Sequence, residues 1–192
     1  AAIRWYGYTR EEFLRLTLRD IRPAEDVSAL EKNVAAVTTG IDYAGIWRHR
    51  KKDGSIIYVE ITSHTLLWNQ RQAEVVCAHD VTARVISERR LERINHVLLS
   101  LGPDFQDNIN RLTSLCGELL GGVCALYNRL DGGMLCSLGS WNAPVDYNPV
   151  DRPDGHICYD VIRAAGTEVL VVRDLQKTPY IESDPNVRRY NL

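Results

Sequence analysis

Asp80–Leu101, DVTARVISERRLERINHVLLSL, is the stretch on which the architecture turns. Asp80-Val81-Thr82 follows an apolar run with the look of a strand, and neither Gly nor Pro interrupts it before Gly102-Pro103. Asp80 or Thr82 is placed to cap the first turn, since either side chain accepts a hydrogen bond from a backbone N–H with no partner inside the helix. Gly102-Pro103 supplies the stop, because Pro lacks the N–H that continues a helix. Leu91, Ile94, Leu98 and Leu101 recur at spacings of three, four and three, the seam of a coiled coil, while Arg84, Glu88, Arg89, Glu92 and Arg93 load the other faces. That seam covers about two heptads, fewer than the three or four that mark a coiled coil from sequence alone. Two readings stand: an amphipathic helix packed on one domain, and a connector between two modules that pairs with a second copy. The flanks decide between them.

The chain has 192 residues, room for one large domain or two small ones, with 45% hydrophobic and 25% charged residues and a formal net charge of −2. Such a balance gives no support for nucleic-acid binding, which shows as a basic patch or a high pI. Charge is uneven: up to Leu101 there are 15 Lys and Arg against 13 Asp and Glu, and beyond it 8 against 12. No apolar run approaches the roughly 20 residues of a membrane span, and the first residues lack the apolar core of a signal peptide. The chain opens on Ala-Ala rather than Met and so reads as a piece of a longer protein. Its five cysteines, Cys77, Cys116, Cys124, Cys136 and Cys158, form no C-x-x-C pair and sit mostly in apolar stretches. They read as small buried hydrophobes in a reducing, cytoplasmic setting.

Before the helix, Thr9-Arg10-Glu11-Glu12 has the form of a capping box and starts a short helix that buries Phe13, Leu14 and Leu16. A second helix follows over about Ala24–Thr38, with Val27, Leu30, Val34 and Val37 on one face and Gly40 as its stop. From Ile41 the period changes to two. Tyr43–Arg50, Ile56–Trp68 and Ala73–His79 read as three antiparallel strands, joined by turns at Asp53-Gly54 and Asn69–Gln72. Along the middle strand Ile57, Val59 and Ile61 face one side and Tyr58, Glu60 and Thr62 the other, as in a half-buried sheet. The segments Tyr6–Phe13 (YGYTREEF), Arg22–Asp26 (RPAED), Arg50–Ser55 (RKKDGS) and Val76–Thr82 (VCAHDVT), in that order, resemble the later two-thirds of a PAS domain over residues 1–82. The resemblance implies a sensory fold whose first two strands lie outside this chain.

After Pro103, Phe105–Leu120 reads as a helix with an apolar stripe of Phe105, Ile109, Leu112, Leu115, Cys116 and Leu119. Val123–Leu130 and Met134–Trp141 read as strands around Asp131-Gly132-Gly133. A loop over Asn142–Gly155 leads to a helix at about His156–Ala165, then an apolar strand at Val169–Arg173 and a loop over Thr178–Asp184. Asp184-Pro185 starts a last helix. Leu119–Tyr127 (LLGGVCALY), His156–Ile162 (HICYDVI), the Val169–Arg173 run closing on Asp174-Leu175, and Asp184–Val187 (DPNV) leading to Tyr190 resemble a GAF domain over about 104–192. That family continues with further strands, which the resemblance places beyond Leu192.

Chemistry is sparse. No phosphate cradle, dinucleotide fingerprint, nucleophile elbow or zinc-protease motif occurs. His96 stands on the connector helix, where sensor kinases carry a phosphoacceptor, but Asn95-His96-Val97-Leu98-Leu99 lacks the acidic neighbour and the Arg-x-Pro of that motif. It reads as a surface or interface histidine. His64 and His79 lie on neighbouring strands without a third ligand, and read as sheet-surface residues rather than a metal pair. His156 precedes Cys158 by two positions, not the Cys-His order of bilin attachment in GAF proteins, so Cys158 reads as core. The resemblance offers no Cys for a flavin adduct ahead of the long helix and no His on Ala24–Thr38 for haem.

What remains is pockets and relay. Candidate linings are Trp47, Ile57, Val59, Ile61, Val76 and Ala78 in the first module. In the second they are Cys124, Leu126, Cys136, Leu138, Trp141, Val161 and Val171, although each of these residue types is commonly simple core. The expectation is an α+β chain of two modules, 1–82 and 104–192, each an antiparallel sheet with flanking helices, joined by a helical connector over 83–103. Function follows the resemblance: a sensory and signal-relay segment, not an enzyme in itself, of a sensor histidine kinase, with a diguanylate cyclase or transcription regulator as alternative parents. Asp80, Thr82, Leu91, Ile94 and Leu98 are the relay residues, a homodimer forms through the connector, and no motif requires a cofactor or metal. The competing reading is a dimerisation spacer without ligand.

Overall fold

A computed structural model describes residues 2–36, 40–166 and 168–192. The chain is an α+β protein whose strands form two separate three-stranded antiparallel sheets, in the orders β1-β2-β3 and β4-β5-β6. It divides into two compact units, Ala1–Arg89 and Arg90–Leu192, and the division falls inside a helix.

The first unit opens on α1 (Ala2–Tyr6) and α2 (Arg10–Phe13). Thr9 closes a capping box on α2: Glu12 N donates to Thr9 Oγ1 at 3.2 Å and Thr9 N to Glu12 Oε2 at 2.9 Å. Phe13 and Leu16 pack on the core, but Leu14 is 74% exposed, since a four-residue helix turns too little to bury three such neighbours. A 3-10 turn (Ala24–Asp26) leads into α3 (Val27–Ala36), which buries Leu30. Val37 and Thr38 of the expected helix lie outside the described residues.

The sheet is β1 (Ile41–Arg50), β2 (Ile56–Trp68) and β3 (Arg71–Asp80). In the first hairpin Asp53 Oδ1 accepts from Ser55 N at 2.9 Å and Gly54 takes φ +85°. The second is a two-residue turn, Asn69 (φ 49°) and Gln70 (φ 62°), so β3 resumes two residues earlier than the pattern predicts. Both residues hold the positive φ that matches strand twist. Ile57, Val59, Ile61 and Ser63 are buried, and the side chains between them face outward, the period of two expected for β2. Lys52 N donates to Tyr6 O at 3.0 Å and Arg50 N to Ile21 O at 2.8 Å, tying the N-terminal segment to the sheet.

α4 runs over Thr82–Leu99, ending two residues short of Leu101. Val81, just before it, and Val85 are buried in the first unit, and Val97 is buried in the second. Asp80 makes the first bond of the helix by accepting from Thr82 N at 2.8 Å. Thr82 itself is not a cap, because its hydroxyl is engaged by the backbone of β2.

In the second unit α5 (Phe105–Leu120) starts on Asp104, which accepts from Asp107 N at 2.7 Å, and stops at Gly121 (φ 63°). It packs on the hairpin of β4 (Ala125–Asp131) and β5 (Met134–Trp141), whose turn places Gly132 and Gly133 at positive φ. Two glycines set how closely the layers meet: a Cβ on Gly117 would lie 2.2 Å from Trp141, and one on Gly139 would lie 2.6 Å from Ile109. β6 (Val150–Asp151) adds two residues beside β5, inside the stretch read as loop. α6 (Ile157–Ala164), α7 (Tyr180–Ser183) and α8 (Pro185–Tyr190) complete the unit, α8 entering through Asp184 and Pro185. The expected loop at Thr178–Asp184 therefore contains a helical turn.

The expected strand at Val169–Arg173 does not form; 168–173 is irregular, with Val169 86%, Leu170 54% and Val171 71% exposed. A strand exists only through its ladder, and this run pairs with none of the described strands. The cysteines are less covered than expected: Cys77 and Cys116 are exposed, and Cys124, Cys136 and Cys158 are half-buried.

Candidate functional site

The first unit encloses a cavity of about 250 Å³ between the inner face of the sheet and the helical segments that precede it. Its wall is mainly apolar: Leu18, Ile21, Leu30, Trp47, Ile61, Val76 and Ala78 all contribute. Of the expected lining, Trp47, Ile61, Val76 and Ala78 are there, whereas Val59 (0% exposed) and Ile57 are packed into the core. Trp47 is fixed by its indole N–H, which donates to Ala44 O at 2.8 Å.

Three buried polar side chains that the sequence did not reveal, Tyr6, Arg22 and His49, are also part of the lining. Tyr6 hydroxyl and His49 Nδ1 are 2.5 Å apart. The Arg22 guanidinium lies over the Trp47 ring, 4.8 Å from its centroid, and donates from Nη1 to Arg48 O at 3.3 Å. Arg22 Nε and His49 Nε2 have no hydrogen-bond partner. Burial, reinforced by the Arg22 charge, pushes His49 down to about 3, so its ring is neutral at pH 7. Burial also raises Tyr6 above its ordinary value. Arg48, next in the strand but facing the other way, holds Asp26 in a two-point contact at 2.8 and 2.5 Å, and this keeps Asp26 below the usual carboxylate range.

The alternation of β1 was the available signal for His49, since Trp47 and His49 share a face. Arg22 gave none: an Arg before Pro23 reads as surface loop, and only the packing of that turn under β1 buries it.

The residues expected to relay a signal fall in both units, Asp80 and Thr82 in the first and Leu91, Ile94 and Leu98 in the second. Asp80 and Thr82 sit where β3 becomes α4, and Tyr58 of β2 grips that corner. Tyr58 N donates to Thr82 Oγ1 at 2.9 Å, and Val81 N donates to Tyr58 O at 2.9 Å. Arg89 lies over the Tyr58 ring at 4.7 Å from its centroid. Leu91 and Leu98 are 59% and 50% exposed and Ile94 is half-buried, so the seam is only lightly covered by its own chain. His96 lies beside Arg93, Ser114 and Glu118 in a shallow depression of the second unit.

Of the lining expected in the second unit, Val161 is 43% and Val171 71% exposed, Trp141 packs against Gly117, and Cys124 and Cys136 do not border a small cavity found there among the described residues. That cavity, about 170 Å³, is instead polar at its base, with Leu126 as the one residue carried over from the expected set. There His156 Nδ1 lies 3.4 Å from Asp184 Oδ1 and Nε2 3.6 Å from Asp151 Oδ2. Asp184 also accepts from Ile157 N at 3.0 Å and Asn186 N at 2.9 Å, fastening α6 to α8. Asn128 donates to Cys158 Sγ at 3.0 Å, while burial raises the thiol's pKa and keeps it protonated. His64 and His79 do not meet: His64 is opposite Val75 and His79 opposite Glu60. No His, Cys, Asp and Glu cluster suited to a metal occurs among the described residues, and no described helix is long and apolar enough to cross a membrane.

No curated protein matches the chain. Residues 1–79, which include every residue that lines the first-unit cavity, match the family model of the PAS fold.

Proposed function

We propose that the chain is a sensory and signal-relay segment of a larger signalling protein, and that it performs no catalysis itself. In this reading the first-unit cavity takes a small molecule, and the sheet passes its occupancy through Asp80 and Thr82 into α4. The contact that carries the proposal is the grip of Tyr58 on Thr82: the same backbone belongs to the strand whose inner face borders the cavity and to the corner where the helix starts. Ala78 lines the cavity two residues before Asp80, so a ligand displacing β3 shifts that corner directly. A ligand that prefers one packing of sheet on helix then biases the helix by its difference in affinity for the two states. A second GAF-like module and a sensor histidine kinase as parent complete the proposal, resting on the sequence resemblance and on the location of the lightly covered Leu91, Ile94 and Leu98.

Filling the cavity tests the relay without any ligand. Ala78→Leu imitates occupancy, and amide exchange over Val81–Val85 is expected to change by at least threefold relative to the unmodified chain. Unchanged exchange there, in a variant that melts as the parent does, sinks the relay. It would leave a spacer that only pairs chains.

A further inference from the structure

The cavity of the first unit carries a charge that its walls leave unpaired. Arg22 is 4% and His49 3% exposed, and both line the cavity. Arg22 is a full cation wherever it lies. Asp26 is bound two-fold by Arg48 and acts on Arg22 only at a distance. Among the described residues no carboxylate forms an ion pair with it. A buried cation without an anion, and buried donors without acceptors, lower stability and are retained where they serve a bound group. His49 supplies a second unpartnered nitrogen, Nε2, which is a donor in the tautomer where the Tyr6 hydroxyl donates to Nδ1. A positive charge and two unpaired donors in the wall of an apolar cavity match the oxygens of a carboxylate.

We propose that the cavity binds a small monocarboxylate with an apolar body, its carboxylate held by Arg22 and His49 and its body lying along Leu30, Trp47, Ile61 and Val76. This rests on the reading of the cavity as a ligand site. A volume of about 250 Å³ suits a ligand on the order of ten non-hydrogen atoms. Two acids also line the cavity, Asp42 and Glu74, the first half-exposed and the second exposed. Asp42 is seven residues from His49 along β1, roughly 20 Å at the rise of a strand. Both are open to water and neither forms an ion pair with Arg22. They do disfavour a second negative charge on the far end of the ligand, hence a monoacid.

The test compares three molecules of one shape, 3-phenylpropionate, 3-phenylpropionamide and 3-phenylpropylamine, by calorimetric titration of the 192-residue chain at pH 7. The carboxylate is expected to bind at least tenfold more tightly than the amide, with the amine weakest. Arg22→Gln is expected to bring the carboxylate-to-amide ratio close to one. The ranking on the unmodified chain decides the matter even if that variant fails to fold. Equal or tighter binding of the amide or amine overturns the carboxylate assignment and leaves the cavity a ligand site. No binding by any of the three at millimolar concentration overturns it as well. If Ala78→Leu also leaves α4 exchange unchanged, the ligand-sensing reading falls with it.

Discussion

His49 shows how one side chain can set the pH response of a domain. Its folded value of about 3 lies below the ordinary 6.5 because burial and the Arg22 charge both oppose the imidazolium, with Tyr6 and Arg22 its charged or titratable neighbours. As pH falls below about 6.5 the unfolded chain takes up a proton that the folded one refuses, so stability is full above that pH and erodes toward pH 3. The slope approaches about 1.4 kcal/mol per pH unit in that window. Denaturant midpoints of the first unit measured at pH 7, 6 and 5 are expected to fall in step, and His49→Phe to flatten the fall while lowering the midpoint at pH 7 by leaving the Tyr6 hydroxyl unpaired. A parallel pH profile for variant and parent would refute this assignment. Carboxylates act in a lower window. Asp26, held down by Arg48, and Asp20, held down by Thr17, stabilise the fold above their unfolded values and cease to do so as pH drops through the folded ones. At this scale the sequence was least informative. Alternation along β1 put His49 on the inner face, but nothing in Arg22-Pro23 announced a buried guanidinium.

Elements were far more legible, because each is fixed by neighbours in sequence. The capping box at Thr9, the Asp104 start and Gly121 stop of α5, and the full spans of β2, α5 and β5 follow from local chemistry that packing then preserved. Failures came where a partner decides. Val169–Arg173 has the composition of a strand but pairs with no described strand, whereas Val150–Asp151 lacks that composition and becomes a strand beside β5. Close layer contacts are equally invisible in a pattern of apolar residues. Gly117 is in a helix, where Ala gains about 1 kcal/mol over Gly by propensity. Here a methyl group would sit 2.2 Å from Trp141, and overpacking of this kind costs about 1–3 kcal/mol. The steric term wins, so Gly117→Ala is expected to lower the denaturant midpoint of the second unit. A rise would mean that α5 slides away from β5 at little cost.

For the molecule as a whole, the two-sheet α+β plan was readable from the switch of period at Ile41 and again after Gly121-Gly122. The chain divides within α4, between Arg89 and Arg90, inside the stretch 83–103 read from the sequence as a connector. Helix periodicity marks an apolar stripe but not which neighbour each part of it meets. Val81, just before α4, and Val85 are buried in the first unit and Val97 in the second, and the Leu91 and Leu98 side chains between and beyond them remain half or more exposed. Exposed leucines at heptad spacing are the pattern that pairs two copies. Leu91→Asp with Leu98→Asp is expected to halve the mass found by sedimentation if the chain dimerises through α4. An identical mass for parent and double variant would remove the homodimer from the proposal.

All five thiols are free, and their unequal cover has a practical use. Cys77 on β3 and Cys116 on α5 are the exposed ones, one in each unit, while Cys124, Cys136 and Cys158 are partly covered. Spin labels or fluorophores attached at these native positions give a distance ruler between the first-unit sheet and the second unit. Neither attachment alters a side chain that lines the first-unit cavity or the Tyr58–Thr82 corner.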